Sequence, residues 1–429
     1  MSATIGIMFL FMATLVCLNV PIAVALATIA TVAIVLTQGA YMLVNVGIVM
    51  YTGAQSFPLL AIPMFILAGA IMNSSGISRR LIAFASAVVG FIRGGLAMVN
   101  ITTSMFFAEI SGSAVADVAA IGPILIPAME KRGYPRAFAA AVTSSSASLA
   151  IIIPPSIPMI LYGVMSGSSI VQLFVAGIVP GIIGGLGMMG VSYWLARRLG
   201  WPVEEVFQTR RVWVTFKEAA WAFTIPIIIL GSIFGGLVTA TEGAGLAVVA
   251  ALVIGGLIYR ELDLRFLYKA CVDGAVQTAV VMLLVAASAL LGIYLTEQQV
   301  PQRLAQAILD LTDNRLVVLL LLNVFFLMIG LFLHSAAAII LVVPVVLPLI
   351  NAVGIDPVHF GLIVTLNLAI GQQTPPVASV LIAACSVAKA DIWEVSKVNV
   401  YFVAVLLLVL LLVTYVPPVP MALVEYLYR

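Results

Sequence analysis

Charge is what this chain has least of. Only 8% of its 429 residues are Asp, Glu, Lys or Arg, against about 25% in a soluble domain. A water-facing surface cannot be built from so few charges, which excludes a soluble globular protein. The net charge of +2 leaves no basic face for nucleic acid. There are two histidines, and the three cysteines (Cys17, Cys271 and Cys385) lie in apolar stretches with no CxxC. A typical zinc site or a redox pair cannot be assembled from them, and the cysteines read as small buried hydrophobes. No Walker A sequence, GxSxG elbow or HExxH is present. That argues against an ATP-driven pump and leaves enzyme chemistry without a signature. The first charged side chain is Arg79, so the N-terminus lacks the positive region of a signal peptide, and the opening apolar segment is expected to stay as a membrane helix.

What the chain has in abundance is apolar length. It is 63% hydrophobic, with a mean hydropathy of +1.24. A membrane pass needs roughly 20 apolar residues, so the length accommodates ten or more passes. The fold class expected is an all-α, polytopic membrane protein with an inverted repeat. The expected organisation is N-terminal scaffold helices over 1–56 and a first repeat over 57–196. That repeat holds a re-entrant hairpin near 95–129 and a broken helix near 136–166. A charged cytoplasmic linker arm follows over 197–217, then scaffold helices over 218–269. A second repeat, 270–418, holds a hairpin near 315–350 and a broken helix near 358–388, before a tail over 419–429. Segments 79–93 and 300–313 are shorter, mixed in polarity, and read as amphipathic arms along the interface.

The repeat is visible in the residues. At an offset of 221 positions Pro123 matches Pro344, Pro127 matches Pro348, Gly133 matches Gly354, and Pro154-Pro155 matches Pro375-Pro376. The loop after the first hairpin carries Lys131, Arg132 and Arg136, while its counterpart carries Asp356 and no base. The positive-inside rule puts the first loop in the cytoplasm and the second outside. Two inverted halves follow, an arrangement many secondary transporters use.

Broken backbone at membrane depth is tolerated only where protein buries it or it lines a cavity. Four such places are expected near the midplane. They are Ser111-Gly112-Ser113, Ser144 to Ser148 with Pro154-Pro155-Ser156, His334-Ser335, and Asn367 with Gly371, Gln372, Gln373, Thr374, Pro375 and Pro376. Proline removes a backbone donor and turns the preceding residue away from helix. Carbonyls released there, with Ser, Thr and Asn oxygens, suit Na⁺, and helix N-termini suit a carboxylate. The expected cation ligands are Ser113, Ser144, Ser146, Ser148, Pro154, Asn367, Gly371, Thr374 and Pro375. The expected substrate contacts are Ser111, Gly112, Ser113, Ser156, His334, Ser335, Gln372 and Gln373. The competing reading is that Ser and Gly only permit close helix packing and the prolines only kink helices. Glu109 and Asp117 flank the first tip and are functional candidates by their depth. Glu242 reads as a helix N-cap partner.

These same residues resemble a family. SFPLLAIPMFILAG from Ser56, FAEISGSAVADVAAIG from Phe107, GYPRAFAAAVTSSSASLAIIIPPS from Gly133, TATEGAG from Thr239 and GIDPVHFGLIVTLNLAIGQQTPPVAS from Gly354 together resemble the large, DctM-like membrane subunit of TRAP (tripartite ATP-independent periplasmic) transporters. The resemblance covers essentially the whole chain. It implies an elevator-type importer of organic anions, such as dicarboxylates or sialic acid, in the bacterial inner membrane. It also implies two or more coupling Na⁺, a small four-helix membrane partner and a periplasmic binding protein. Departures are His334, where Asp or a similar residue is expected, Ala378 for Gly, Gln372-Gln373 for an apolar pair, and Ala240 for Pro. An alternative is a self-contained carboxylate symporter of related fold that needs no binding protein. An intramembrane enzyme or a channel is the reading from a different class.

Overall fold

The computed structural model describes residues 20–201 and 206–428, with isolated positions 8, 11, 14, 15 and 18 before them. The start of the expected N-terminal scaffold, 1–56, and Cys17 with it, lies largely outside the described residues. Seven helices among the described residues are long and apolar enough to cross a membrane. They include Ile170–Arg198, Thr209–Phe234, Ala240–Ile258, Leu267–Glu297 and Ile392–Tyr415.

Helix starts follow local chemistry. Thr239 and Glu242 form a reciprocal capping box, with the Thr239 N–H donating to Glu242 Oε2 at 2.8 Å and the Glu242 N–H donating to Thr239 Oγ1 at 3.3 Å. This satisfies two of the amides that a helix start leaves without partners. Asp356 caps the helix Pro357–Gly371 by accepting from the Val358 and His359 amides, and proline stands at its first position. Proline lacks only an N–H that has no intrahelical partner there. Asp391 caps Ile392–Tyr415 in the same manner.

Both hairpins are present. The first has limbs Gly95–Ser111 and Ala114–Lys131, and the second has Arg315–Gly330 and Ser335–Ala352. The first crossing runs Arg136–Ala147, tightens into a 3₁₀ turn over Ser148–Ile151 and resumes as Ile157–Ser166. The second runs Pro357–Gly371 and resumes as Ser379–Ala388. The Pro154-Pro155 and Pro375-Pro376 bonds are both cis. Packing between the halves is reciprocal. The limb Ala114–Lys131 packs on Ser379–Ala388, and the limb Ser335–Ala352 packs on Ile157–Ser166. Each half lays its second limb on the other half's resumed crossing, as two repeats exchanged by a two-fold axis must.

Two boundaries differ from the sequence expectation. The charged stretch 197–217 is helical at both its ends: one helix runs to Arg198 and the next begins at Thr209, so the arm expected there is shorter than the charge pattern suggests. Arg and Lys have high helix propensity, so a charged run can continue a helix beyond the apolar layer. The arms are helices Ile77–Val89 and Val300–Leu309. The helix Ile392–Tyr415, at the end of the expected second repeat, packs along Arg136–Ala147 and Pro357–Gly371, and so lies against both crossings.

Candidate functional site

Each hairpin tip is pinned to the break in its own repeat. The Ile157 N–H donates to the Gly112 carbonyl at 3.3 Å, and the Val377 N–H donates to the Leu331 carbonyl at 3.3 Å. Gly112 sits at φ +58°, and a Cβ there would lie 2.9 Å from the Pro155 carbonyl oxygen. Only glycine satisfies both the turn and that approach. At the second tip the close approach moves to Gly330 and Gly371, where a Cβ on Gly371 would lie 2.4 Å from the Gly330 carbonyl carbon.

The two breaks meet. Gln373, 1% exposed, inserts its amide between Ser144 and Ser148. Its Nε2 donates to the Ser144 carbonyl at 2.8 Å and to Ser148 Oγ, and its Oε1 accepts from Ser144 Oγ. Gln373 was expected to touch substrate and Ser144 and Ser148 to hold a cation. The structure joins the three to one another across 229 and 225 residues of chain. Around them lies a buried polar seam. Ser146 Oγ pairs with Ser104 Oγ at 2.8 Å, and Asn100 Nδ2 donates to Thr143 Oγ1 at 2.7 Å. In the other half Asn367 Nδ2 donates to Asn323 Oδ1 at 2.7 Å and to the Ile363 carbonyl at 2.8 Å, while Asn323 Nδ2 donates to Thr414 Oγ1 at 3.2 Å. Ser146 and Asn367 stand at the repeat's offset, so each repeat ties its crossing to its own first hairpin limb through an equivalent position.

Asn367 is fully buried, and among the described residues its Oδ1 has no hydrogen-bond partner. A buried oxygen without a donor costs about 1–3 kcal/mol and is the atom a hard cation can ligate. Thr374 donates to the Ile370 carbonyl at 3.0 Å, and Gln372 Oε1 accepts from Ser379 Oγ at 3.3 Å. Ser156 acts as a helix cap: its Oγ donates to the Ile151 carbonyl at 2.7 Å and accepts from the Met159 amide at 3.5 Å. His334 stands at the N-cap position of Ser335–Ala352 and is exposed, and Ser335 is buried behind it. The Ser111 side chain lies outside the described residues, while Ser113 is half-buried at the N-cap of Ala114–Lys131. Asp117 is fully buried in the first turn of that helix, where a carboxylate complements the helix dipole. Pro154 is buried and Pro375 half-buried, each opening its proline pair.

Sequence reasoning missed Asn399. Its Nδ2 donates to the Gln373 carbonyl at 3.1 Å and to Gln373 Oε1 at 3.3 Å, and its Oδ1 accepts from Ser145 Oγ. Asn100, Ser104, Asn323 and Thr414 were missed as well. Asn323 and Thr414 are lone polar residues in apolar runs, and that isolation at membrane depth is the signal that could have found them, whereas Asn100, Ser104 and Asn399 sit among other polar residues and carry no such signal. A cavity of about 440 Å³ opens elsewhere, between Ser56–Pro58, Gly163–Ser168 and Thr239–Thr241, away from both breaks.

Paired helical hairpins and paired broken crossings define an inverted-repeat, all-helical membrane transporter fold. Residues 5–419 match the family described as tripartite ATP-independent periplasmic transporter, DctM component, and the chain belongs to that family. It is 42% identical over 416 residues to the isethionate TRAP transporter permease protein DctMQ of Oleidesulfovibrio alaskensis, covering 97% of this chain but only 65% of that longer protein. It is 38% identical to the sialic acid TRAP transporter large permease protein SiaM of Vibrio cholerae, covering 88% of each chain. To the C4-dicarboxylate TRAP transporter large permease protein DctM of Rhodobacter capsulatus it is 33% identical over 99% of each. Among solved structures, the YdaH transporter of Alcanivorax borkumensis shares the fold, with a TM-score of 0.62, 17% identity and 88% of each chain covered.

Proposed function

We propose that this chain is the large permease subunit of a Na⁺-coupled importer of organic anions in the bacterial inner membrane. It receives carboxylates such as C4-dicarboxylates or sialic acid from a periplasmic binding protein and works beside a small four-helix membrane subunit. The observation that carries this reading is the meeting of two unwound crossings, with the Asn367 Oδ1 left buried and without a donor beside one of them. Na⁺ is held there by Asn367 Oδ1 together with backbone carbonyls freed around Gly371, Thr374 and Pro375. The negatively charged solute lies between the tips Ser111-Gly112-Ser113 and His334-Ser335, beside Gln372, where helix starts offer free N–H groups.

Movement follows from the same packing. Hairpins and crossings are tied to each other by the tip bonds and the buried seam, so they move as one body. The long outer helices, Ile170–Arg198, Thr209–Phe234 and Ala240–Ile258, form the frame it slides against. Uptake into proteoliposomes, with the small subunit and the loaded binding protein supplied, is expected to require inward Na⁺. Uptake indifferent to Na⁺ would remove the coupling. Uptake of free substrate by this chain alone would favour a self-contained symporter.

A further inference from the structure

The inverted repeat makes two equivalent breaks, and two equivalent cation sites would be the simplest consequence. The residues break that symmetry. At the offset of 221, Ser144, Ser146 and Ser148 correspond to Thr365, Asn367 and Ala369, and Gln373 corresponds to Ile152. An amide therefore stands in only one half, and it does not point into its own break. It crosses to the Ser144–Ser148 turn of the other.

There it consumes the oxygens that a cation would need. The Ser144 carbonyl has two lone pairs. They accept the Ser148 backbone N–H that closes the turn, Gln373 Nε2 at 2.8 Å and, more weakly, Ser148 Oγ at 3.4 Å. Ser144 Oγ points its proton at Gln373 Oε1, and Ser148 Oγ accepts the second Nε2 proton. Gln373 is itself saturated: both amide protons are given, and Oε1 accepts from Ser144 Oγ and from Asn399 Nδ2. In the opposite half the corresponding Asn367 keeps a bare Oδ1. Among the described residues, the Ser144–Ser148 turn is closed by polar groups that satisfy each other, while Asn367 on the equivalent crossing keeps a buried oxygen without a donor.

We infer that the Gln373 amide is a built-in substitute for a cation at the Ser144–Ser148 turn, so that this half binds no Na⁺ of its own and the chain holds one fewer coupling ion than its two-fold architecture would provide. The inference rests on the Na⁺ reading above. An N–H₂ group with partial positive charge, fixed between a carbonyl and a hydroxyl, links the two crossings as a shared ion would. Unlike an ion, it neither dissociates nor responds to the Na⁺ gradient.

The test counts bound ²²Na⁺ on the purified permease with its small subunit, and compares Gln373→Met and Gln373→Glu with the native protein. Met keeps the volume and removes the amide, and Glu replaces the donors with acceptors. Each variant is expected to bind one Na⁺ more per chain than the native protein. Adding Ser148→Ala to Gln373→Glu is expected to weaken the gained site by about tenfold. If Gln373→Met is not recovered folded, Gln373→Glu decides. An unchanged count in a folded variant overturns the substitution while leaving Na⁺ coupling intact. A native protein that binds no Na⁺ and transports without it overturns both readings together.

Discussion

Asn399 holds Gln373 by two bonds from one amide, to its carbonyl oxygen at 3.1 Å and to its side-chain Oε1 at 3.3 Å. The same residue accepts from Ser145 on the first crossing. A single side chain on a helix outside both repeats' breaks thus ties each crossing to the other. Truncating it strands acceptors where no water is available to replace the donor. Asn399→Leu is expected to destabilise the folded protein by about 1–3 kcal/mol, read as a lowered melting temperature in detergent. Uptake should fall with it. An unchanged melting temperature would show that Gln373 holds its place without Asn399.

Gly371 and Gly330 are expected to tolerate no side chain. Gly371→Ala puts a methyl 2.4 Å from backbone that cannot rotate away, so the second hairpin must lift off its crossing. Overpacking of this kind costs about 1–3 kcal/mol or more. Gly190→Ala, in a helix with nothing within 4 Å of the new methyl, should be neutral or raise stability, because alanine is the better helix former. Equal behaviour of the two in thermal unfolding would contradict the close approach.

Ala378 adopts φ +39° immediately before the helix Ser379–Ala388, in the left-handed region. A Cβ there costs roughly 1–2 kcal/mol. Ala378→Gly is expected to raise the unfolding midpoint, the gain being reduced by the entropy glycine loses on folding. The resemblance led one to expect glycine here, and the backbone explains why. A lowered midpoint would mean that the methyl's packing outweighs its strain.

Outside the membrane layer, the first arm is tied to the scaffold by charge. Arg79 and Arg80 both reach Glu261, at 3.1 and 2.9 Å, and Arg80 also stacks 3.8 Å over the Tyr259 ring. The Arg80 hydrogen bond, then the charges of Arg80 and Arg79, hold the Glu261 carboxyl below the ordinary carboxylate range. A lowered folded-state pKa contributes stability above the unfolded value that is lost as pH falls through the folded one. The group is largely exposed, so the contribution is at most about 1 kcal/mol. Native protein and Glu261→Gln should therefore differ slightly in melting temperature at neutral pH and converge as the medium becomes acidic. A difference that widened in acid would reverse the assignment.

Asn367→Ala removes a buried side-chain oxygen on the second crossing that, among the described residues, has no donor. The Na⁺ concentration giving half-maximal uptake is expected to rise by about tenfold, equivalent to roughly 1.4 kcal/mol of binding. Ala also strands the Asn323 Oδ1 that Asn367 now serves, so some loss of stability of about 1–3 kcal/mol accompanies it, and the Na⁺ response is compared at equal amounts of folded protein. An unaltered Na⁺ response would move the ion away from this residue.

Local chemistry was legible in the residues alone. The paired prolines mark both breaks because proline cannot donate, the capping box of Thr239 and Glu242 closes on itself within one turn, and the membrane class follows from the scarcity of charge. The repeat was legible too, since matched Gly and Pro recur at one offset. Ser156, expected to touch substrate, caps the helix Ile157–Ser166, since Ser followed by Ile-Pro is also a helix start. What no stretch of sequence could reveal is which of many buried amides and hydroxyls become partners. Gln373 and Ser144 lie 229 residues apart, and their bond exists only because two crossings are packed at one depth. Position within each helix is decided by nearby residues. Pairing between helices is decided by the packing of the whole chain, where every buried polar group must find a partner or an ion.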